Sequence, residues 1–217
     1  MAALPLFPLG SVLLPGADLP LVLFEPRYLD LLRRLAALPP DQRVFGVVAL
    51  RRGGEVGPRA ALDLHEVGCV ARLTTMPGMM PGSRGVRIDT VGTRRFRLVR
   101  LDPHAGTTYH TGVVHWLPEP VGADPDRHAE RVRRDTAAYR RWVGAAAVRL
   151  PEDPVDLSYA AADALVLDVA ERQDLLAADS ATERLALLAR LLRRELTLLE
   201  RLPSLPRTAR DALPSPN

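Results

Sequence analysis

The chain has 217 residues, 47% hydrophobic and 25% charged. That is enough for one large domain or two small ones, and the apolar fraction excludes an intrinsically disordered chain. Its 29 basic and 26 acidic residues leave a net charge of +3, and every basic residue is Arg. The pI of 9.6 therefore follows from the high pKa of guanidinium and is weak support for a nucleic-acid partner. Without Lys the chain builds no P-loop, Ser–Lys dyad or Schiff base.

The first half reads as strands. Leu4 to Leu9 is apolar but interrupted by Pro5 and Pro8, which suits an edge or extended segment. Leu19 to Phe24 is a short apolar run of strand length. Pro26 to Leu35 follows as a helix, with Pro26 in its first turn and Tyr28, Leu31, Leu32 and Leu35 on one face. Val44 to Leu50 is a strand, residues 51–58 a loop, Val67 to Thr75 a strand and residues 77–85 a turn-rich loop. Val86 to Val91 and Arg95 to Leu101 flank Gly92, and Tyr109 to Leu117 is the last strand. Short strands at regular spacing with turn signals between them predict a closed or half-closed β structure.

The pattern turns helical after Pro118-Glu119-Pro120. Asp124 and Pro125 are positioned to open a helix running to about Ala147. Further helices are expected over Leu157–Val166, over Val169–Ala177 behind an Asp168/Glu171 capping signature, and from Ala181 to about Arg201 behind a Ser180/Glu183 signature. The last is apolar over a broad face, as in a buried bundle helix. Residues 1–117 are thus expected to form a β-rich part, residues 118–202 a helical part, and residues 203–217 a disordered tail.

Catalytic patterns are absent. Cys69, the one cysteine, lies in a strand where a small buried thiol is expected, and with no disulfide possible the chain fits a reducing compartment. His65, His104, His110, His115 and His128 have no metal-ligand spacing, and Ser83 is one position out of register with a nucleophile elbow. The uncharged first 17 residues are broken by proline and lack a basic start, so no secretory segment is read there and a cytoplasmic location is expected. No run approaches the ~20 apolar residues that span a bilayer.

Two features suggest binding. Met76, Met79 and Met80 cluster in one loop, and flexible, polarisable Met side chains suit varied apolar partners. Arg127, Arg131 and Arg134 form a helical stripe, but Asp126, Glu130 and Asp135 interleave with it, so a solvated, ion-paired face is the favoured reading.

An ordered series of segments resembles the Lon protease N-terminal domain. It begins with Leu4-Pro5-Leu6-Phe7-Pro8-Leu9, Leu14-Pro15-Gly16 and Phe24-Glu25-Pro26-Arg27-Tyr28. It continues through Val67-Gly68-Cys69-Val70-Ala71, Val91-Gly92-Thr93-Arg94-Arg95-Phe96, Glu171 to Leu176 and Glu183 to Leu196. The resemblance covers about residues 4–200 and implies an α+β fold: a β-rich PUA-like pseudo-barrel followed by an α-helical bundle. It also implies a non-catalytic module that recognises unfolded or specific polypeptides, with no cofactor, ATP, metal or membrane, and with polypeptide substrates or a protease or chaperone as partners. The expected contacts are Phe24, Arg27, Met76, Met79 and Met80. RNA binding through the PUA-like part and a small-molecule pocket in the barrel stand as alternatives.

Overall fold

The computed structural model describes residues 1–51, 63–75 and 85–201. Among these are six strands: β1 (Ala2–Leu9), β2 (Asp18–Leu23), β3 (Val44–Ala49), β4 (Val67–Thr75), β5 (Val86–Leu101) and β6 (Thr111–Trp116), of which β3 and β4 are apolar runs buried on both faces. They form one sheet in the order β2-β5-β4-β3-β1-β6, and a further β5–β6 pairing closes it. Five strands therefore make a ring, while β2 lies outside it against the first half of β5. All pairings are antiparallel except β1–β3, whose connection runs through β2 and helix α1 (Pro26–Ala36).

Closure gives the sheet an inside and an outside. Leu4, Leu6, Val48, Val70, Phe96 and Val114, one or two from each ring strand, pack together in the interior. The interior is filled: a Cβ added at Gly46, Gly68 or Gly112 would lie 2.4–2.9 Å from the side chains of Leu4, Leu6, Leu98 or Phe96. Residues of the opposite alternation, such as Val47, Cys69 and Ala71, join α1 and the helical part in a second, larger core. The helices are α2 (Asp126–Trp142), α3 (Pro154–Asp163), α4 (Val169–Ala177) and α5 (Ala181–Arg201). Val132, Leu157, Leu175, Leu185, Leu188 and Leu192 are fully buried in the same continuous core as Phe7 and Phe45.

Several details differ from the sequence reading. β1 is not an edge strand. Its first half pairs with β6 and its second half with β3, so each half has a partner on one side and the prolines interrupt no two-sided ladder. β5 is one strand across Gly92, because the backbone passes so close to Leu14 that a Cβ there would meet the Leu14 carbonyl oxygen at 2.1 Å. Asp124 does not cap α2; it takes a left-handed conformation (φ 52°), Pro125 occupies the cap without a side-chain bond, and the helix ends at Trp142 rather than near Ala147. The helix expected over 157–166 begins earlier, at Pro154, because the Asp153 side chain caps it through the amides of Val155 and Asp156. At α4 both halves of the Asp168/Glu171 capping box are formed. At α5 the Glu183 amide donates to Ser180 Oγ, while the Glu183 carboxylate accepts from Asp179 instead of returning to Ser180.

Candidate functional site

The clearest recess on the β-rich part lies where β1, β2 and the start of α1 converge. Its volume is about 430 Å³, and Phe7, Leu9, Leu21, Leu23 and Tyr28 supply apolar walls. Local sequence explains the geometry. In β2, alternation turns Leu19, Leu21 and Leu23 inward and Val22 outward. Pro26 then starts α1 at once and leaves Phe24 on the rim between the two elements. Phe24 is 66% exposed and Val22 63% exposed, both unusually open for large apolar side chains. Beneath them Phe7 packs on Tyr28 at a tilt, with ring centroids 4.0 Å apart, and meets Phe45 at 5.8 Å, so the floor is aromatic. β2 pairs with β5 alone among the described residues, and Pro20 has no N–H to offer, as suits an edge.

Charge at this recess is held in place. Arg27 donates from Nε and Nη2 to Glu25 at 3.0 and 2.8 Å, its Nη1 lies 3.2 Å from His110 Nε2, and its guanidinium covers the Tyr28 ring at 4.7 Å. Of the contacts expected from sequence, Phe24 lines the recess. Arg27 stands behind it, bound to Glu25, and is not among the lining residues. Met76, Met79 and Met80 lie outside the described residues. Val22, Leu9 and Tyr28 were not singled out beforehand. The alternation of β2 was a usable signal for Val22, whereas Leu9 and Tyr28 reach the recess only through the tertiary fold.

A second polar feature ties the β-rich part to the helices. Arg95 of β5 is 2% exposed and makes four bonds: Nε to Glu119 at 2.7 Å, Nη1 to the carbonyls of Leu176 and Ala178 at 2.8 and 2.6 Å, and Nη2 to the Pro118 carbonyl at 3.0 Å. Arg184 of α5, fully buried, donates to the Leu175 carbonyl, Ser158 Oγ and the Ala178 carbonyl, and lies 3.5 Å from Glu119. Its guanidinium also stacks on Tyr159 at 3.9 Å, and the Tyr159 hydroxyl donates to Glu119. Two guanidiniums thus close the C-terminal end of α4, where the helix dipole favours positive charge. Burial is the main cause that raises the Tyr159 pKa and lowers that of Arg184. Gln173 adds a bond to the Val67 carbonyl at 3.0 Å. This cluster holds the two parts together and contains no open reactive group.

Elsewhere the chemistry is quiet. Cys69 is buried, and desolvation pushes its thiol up to about 12, which leaves it unreactive in the folded protein. Among the described residues no group of three or more His, Cys, Asp or Glu could hold a metal ion, and no helix is long and apolar enough to cross a membrane. In the Arg stripe of α2, Arg131 and Arg134 both pair with Asp135.

Comparison with known proteins fits this architecture. Residues 3–194 match the family described as the ATP-dependent protease La (LON) substrate-binding domain. The structure resembles the crystal structure of a Lon N-terminal domain protein from Xanthomonas campestris (25% identity, 94% of this chain and 100% of that one, TM-score 0.59). It shares its fold with the N-terminal domain of a Mycobacterium avium complex Lon protease (18% identity, 88% of this chain and 98% of that one, TM-score 0.57). Over 92% of its length it is 25% identical to Lon protease 1 of Herpetosiphon aurantiacus, and it spans about a quarter of that protein. No peptidase domain lies within these residues. With the matched segment running through both the closed sheet and the helices, the chain belongs to the Lon substrate-binding domain family and is a non-catalytic domain.

Proposed function

We propose that the protein binds unfolded or extended polypeptide at the recess between β1, β2 and α1, with Phe24 and Val22 as its principal contacts. The observation that carries this reading is the pairing of two exposed large apolar side chains with an apolar recess beside a strand edge. An extended chain can hydrogen-bond such an edge through its own backbone, whatever its sequence, while its apolar side chains enter the recess. That combination suits a site that must accept many polypeptides. Arg27, fixed by Glu25, supports the rim, and Met76, Met79 and Met80 are proposed as additional adaptable contacts. A protease or chaperone acting together with this domain is the proposed context.

The test is fluorescence anisotropy with a labelled, permanently unfolded model protein such as carboxymethylated lactalbumin. The parent protein should bind saturably. Phe24→Ser should weaken binding by roughly tenfold or more, as expected for an aromatic anchor, with Val22→Ser weaker in effect. Both positions are exposed, so the fold should be retained. Absence of binding by the parent refutes the function; unchanged binding by both variants refutes the site. A Met79→Ser, Met80→Ser pair asks the same of the loop.

A further inference from the structure

We propose that the helical part carries a separate site for a small organic anion: a carboxylate or phosphate group on a short apolar body. The sequence opens the space in a definite way. Gly144, with φ 68°, ends α2 and reverses the chain, and the Ala145 amide donates back to the Arg140 carbonyl at 2.9 Å. The segment 145–150 then returns along the side of its own helix. Two arginines of α2 clip it there. Arg140 donates to the Ala146 carbonyl at 2.7 Å and to the Ala164 carbonyl at 3.1 Å. Arg133 reaches the carbonyls of Leu150 and Glu152 at 3.3 and 3.2 Å.

Between helix and strap remains a cavity of about 350 Å³, within the range of small-molecule sites. Its apolar wall comes from Ala137, Val148 and Leu150, and its charged wall from Arg133, Arg140 and Arg141. None of the described lining residues is acidic. The charge balance is what points to an anion. Elsewhere on α2 two of the arginines are paired, since Arg131 and Arg134 share Asp135. At the cavity, by contrast, Arg140 and Arg141 have no carboxylate within ion-pair distance among the described residues, and Arg133 has only the exposed Glu130 at 3.8 Å. Arg140 and Arg133 spend part of their donor set on the strap, which fixes their planes, and a guanidinium held in this way is suited to a carboxylate or phosphate. Arg141 is exposed at the mouth with no such duty. A short apolar chain would replace water against Ala137 and Val148 while its anionic head meets the arginines.

The experiment uses the whole chain and four probes: hexanoate, hexyl phosphate, hexanol and inorganic phosphate. Isothermal titration calorimetry gives affinity, and amide shifts of residues 145–150 in heteronuclear NMR give location. Hexanoate, hexyl phosphate or both should bind with a dissociation constant on the order of 0.1–1 mM, at least about tenfold tighter than hexanol or inorganic phosphate. Whichever of the two binds tighter identifies the head group as carboxylate or phosphate. Arg141→Gln, which removes charge without touching the strap, should weaken binding about tenfold. Ala137→Leu, at an exposed position, should fill the cavity and abolish binding, with the circular dichroism spectrum unchanged in both variants. Hexanol binding as well as hexanoate and hexyl phosphate, indifference to Arg141→Gln, or no saturation by about 10 mM overturns the proposal. Phe24→Ser should leave all four titrations unchanged, so the two sites stand or fall separately.

Discussion

Glu119→Gln isolates the charge at the junction between strands and helices, because it keeps the side-chain shape and removes only the negative charge. In the native protein that carboxylate accepts from Arg95 at 2.7 Å and from Tyr159 at 2.8 and 3.0 Å, and lies 3.5 Å from Arg184. Removing it leaves two buried guanidiniums with no carboxylate beside them. Breaking a fully buried pair from one side costs about 3–5 kcal/mol. Glu119 retains 29% of its side-chain surface and both arginines keep carbonyl acceptors, so water and the α4 carbonyls offset part of that loss. The expected cost is therefore about 2–3 kcal/mol. For a chain of this size that corresponds to a fall in Tm of roughly 4–12 °C. Thermal denaturation followed by far-ultraviolet circular dichroism measures it, and urea unfolding gives the free energy directly. A second variant, Tyr159→Phe, removes one hydroxyl and should cost about 1 kcal/mol alone but less on top of Glu119→Gln, since the two groups share a bond. A Glu119→Gln loss below about 1 kcal/mol would refute the reasoning, because the arginines would then be neutralised by carbonyls alone.

Gly92→Ala should destabilise by about 3 kcal/mol in urea unfolding, since the new methyl meets the Leu14 carbonyl at a point where the Gly92 amide donates to Ala17 and its carbonyl accepts from Gly16; a neutral result would show that the 10–17 segment moves freely. Cys69 should react with a thiol reagent at least ~100-fold more slowly in the native protein than in urea, because only opening exposes it; equal rates would contradict its burial. Stability should fall as pH rises from about 9 towards 12. In that window the folded state holds the Cys69 and Tyr159 protons, both raised mainly by burial, while the unfolded chain releases them, so the native state binds more protons and loses ground as they become scarce. Cys69→Ala with Tyr159→Phe should flatten the slope in pH-dependent urea unfolding, and an unchanged slope would reject these groups as its source.

Much of the fold was legible because period is a local property. β4 and α4 appear at the boundaries expected from sequence, β4 as an apolar run of strand length buried on both faces and α4 behind a complete capping box. The misreadings have a shared origin in contacts between distant residues. Gly92 looked like a break in a strand, but it is the point where the strand makes room for Leu14. Pro5 and Pro8 looked like edge markers, but β1 changes partner between them. The recess was harder still. It joins residues 7–10, 21–25, 28 and 50, and only the resemblance, not periodicity, drew attention to Phe24. Arg133, Arg140 and Arg141 lie near the Arg stripe in sequence, and helical spacing does not reveal that the chain beyond Gly144 folds back over them.

The missing lysine acquires a structural meaning at two positions. In the sequence it is a compositional bias, and at exposed sites such as Arg33 or Arg193 a lysine would serve equally well. At Arg95 it would not. Four acceptors surround that side chain in different directions, and an ammonium has three donors at a single point. At Arg184 the planar cation stacks on Tyr159 while its edges reach Leu175, Ser158 and Ala178, a geometry that needs a flat group with donors on its rim. These two residues bind the α4 C-terminus to the closed sheet and to α5. The same bias that removes Lys-dependent catalysis thus supplies the residue type that locks the strands to the helices. Phe7, Leu23 and Tyr28 of the recess belong to the same continuous core as the helices that this lock joins, and Leu150 of the cavity packs against it.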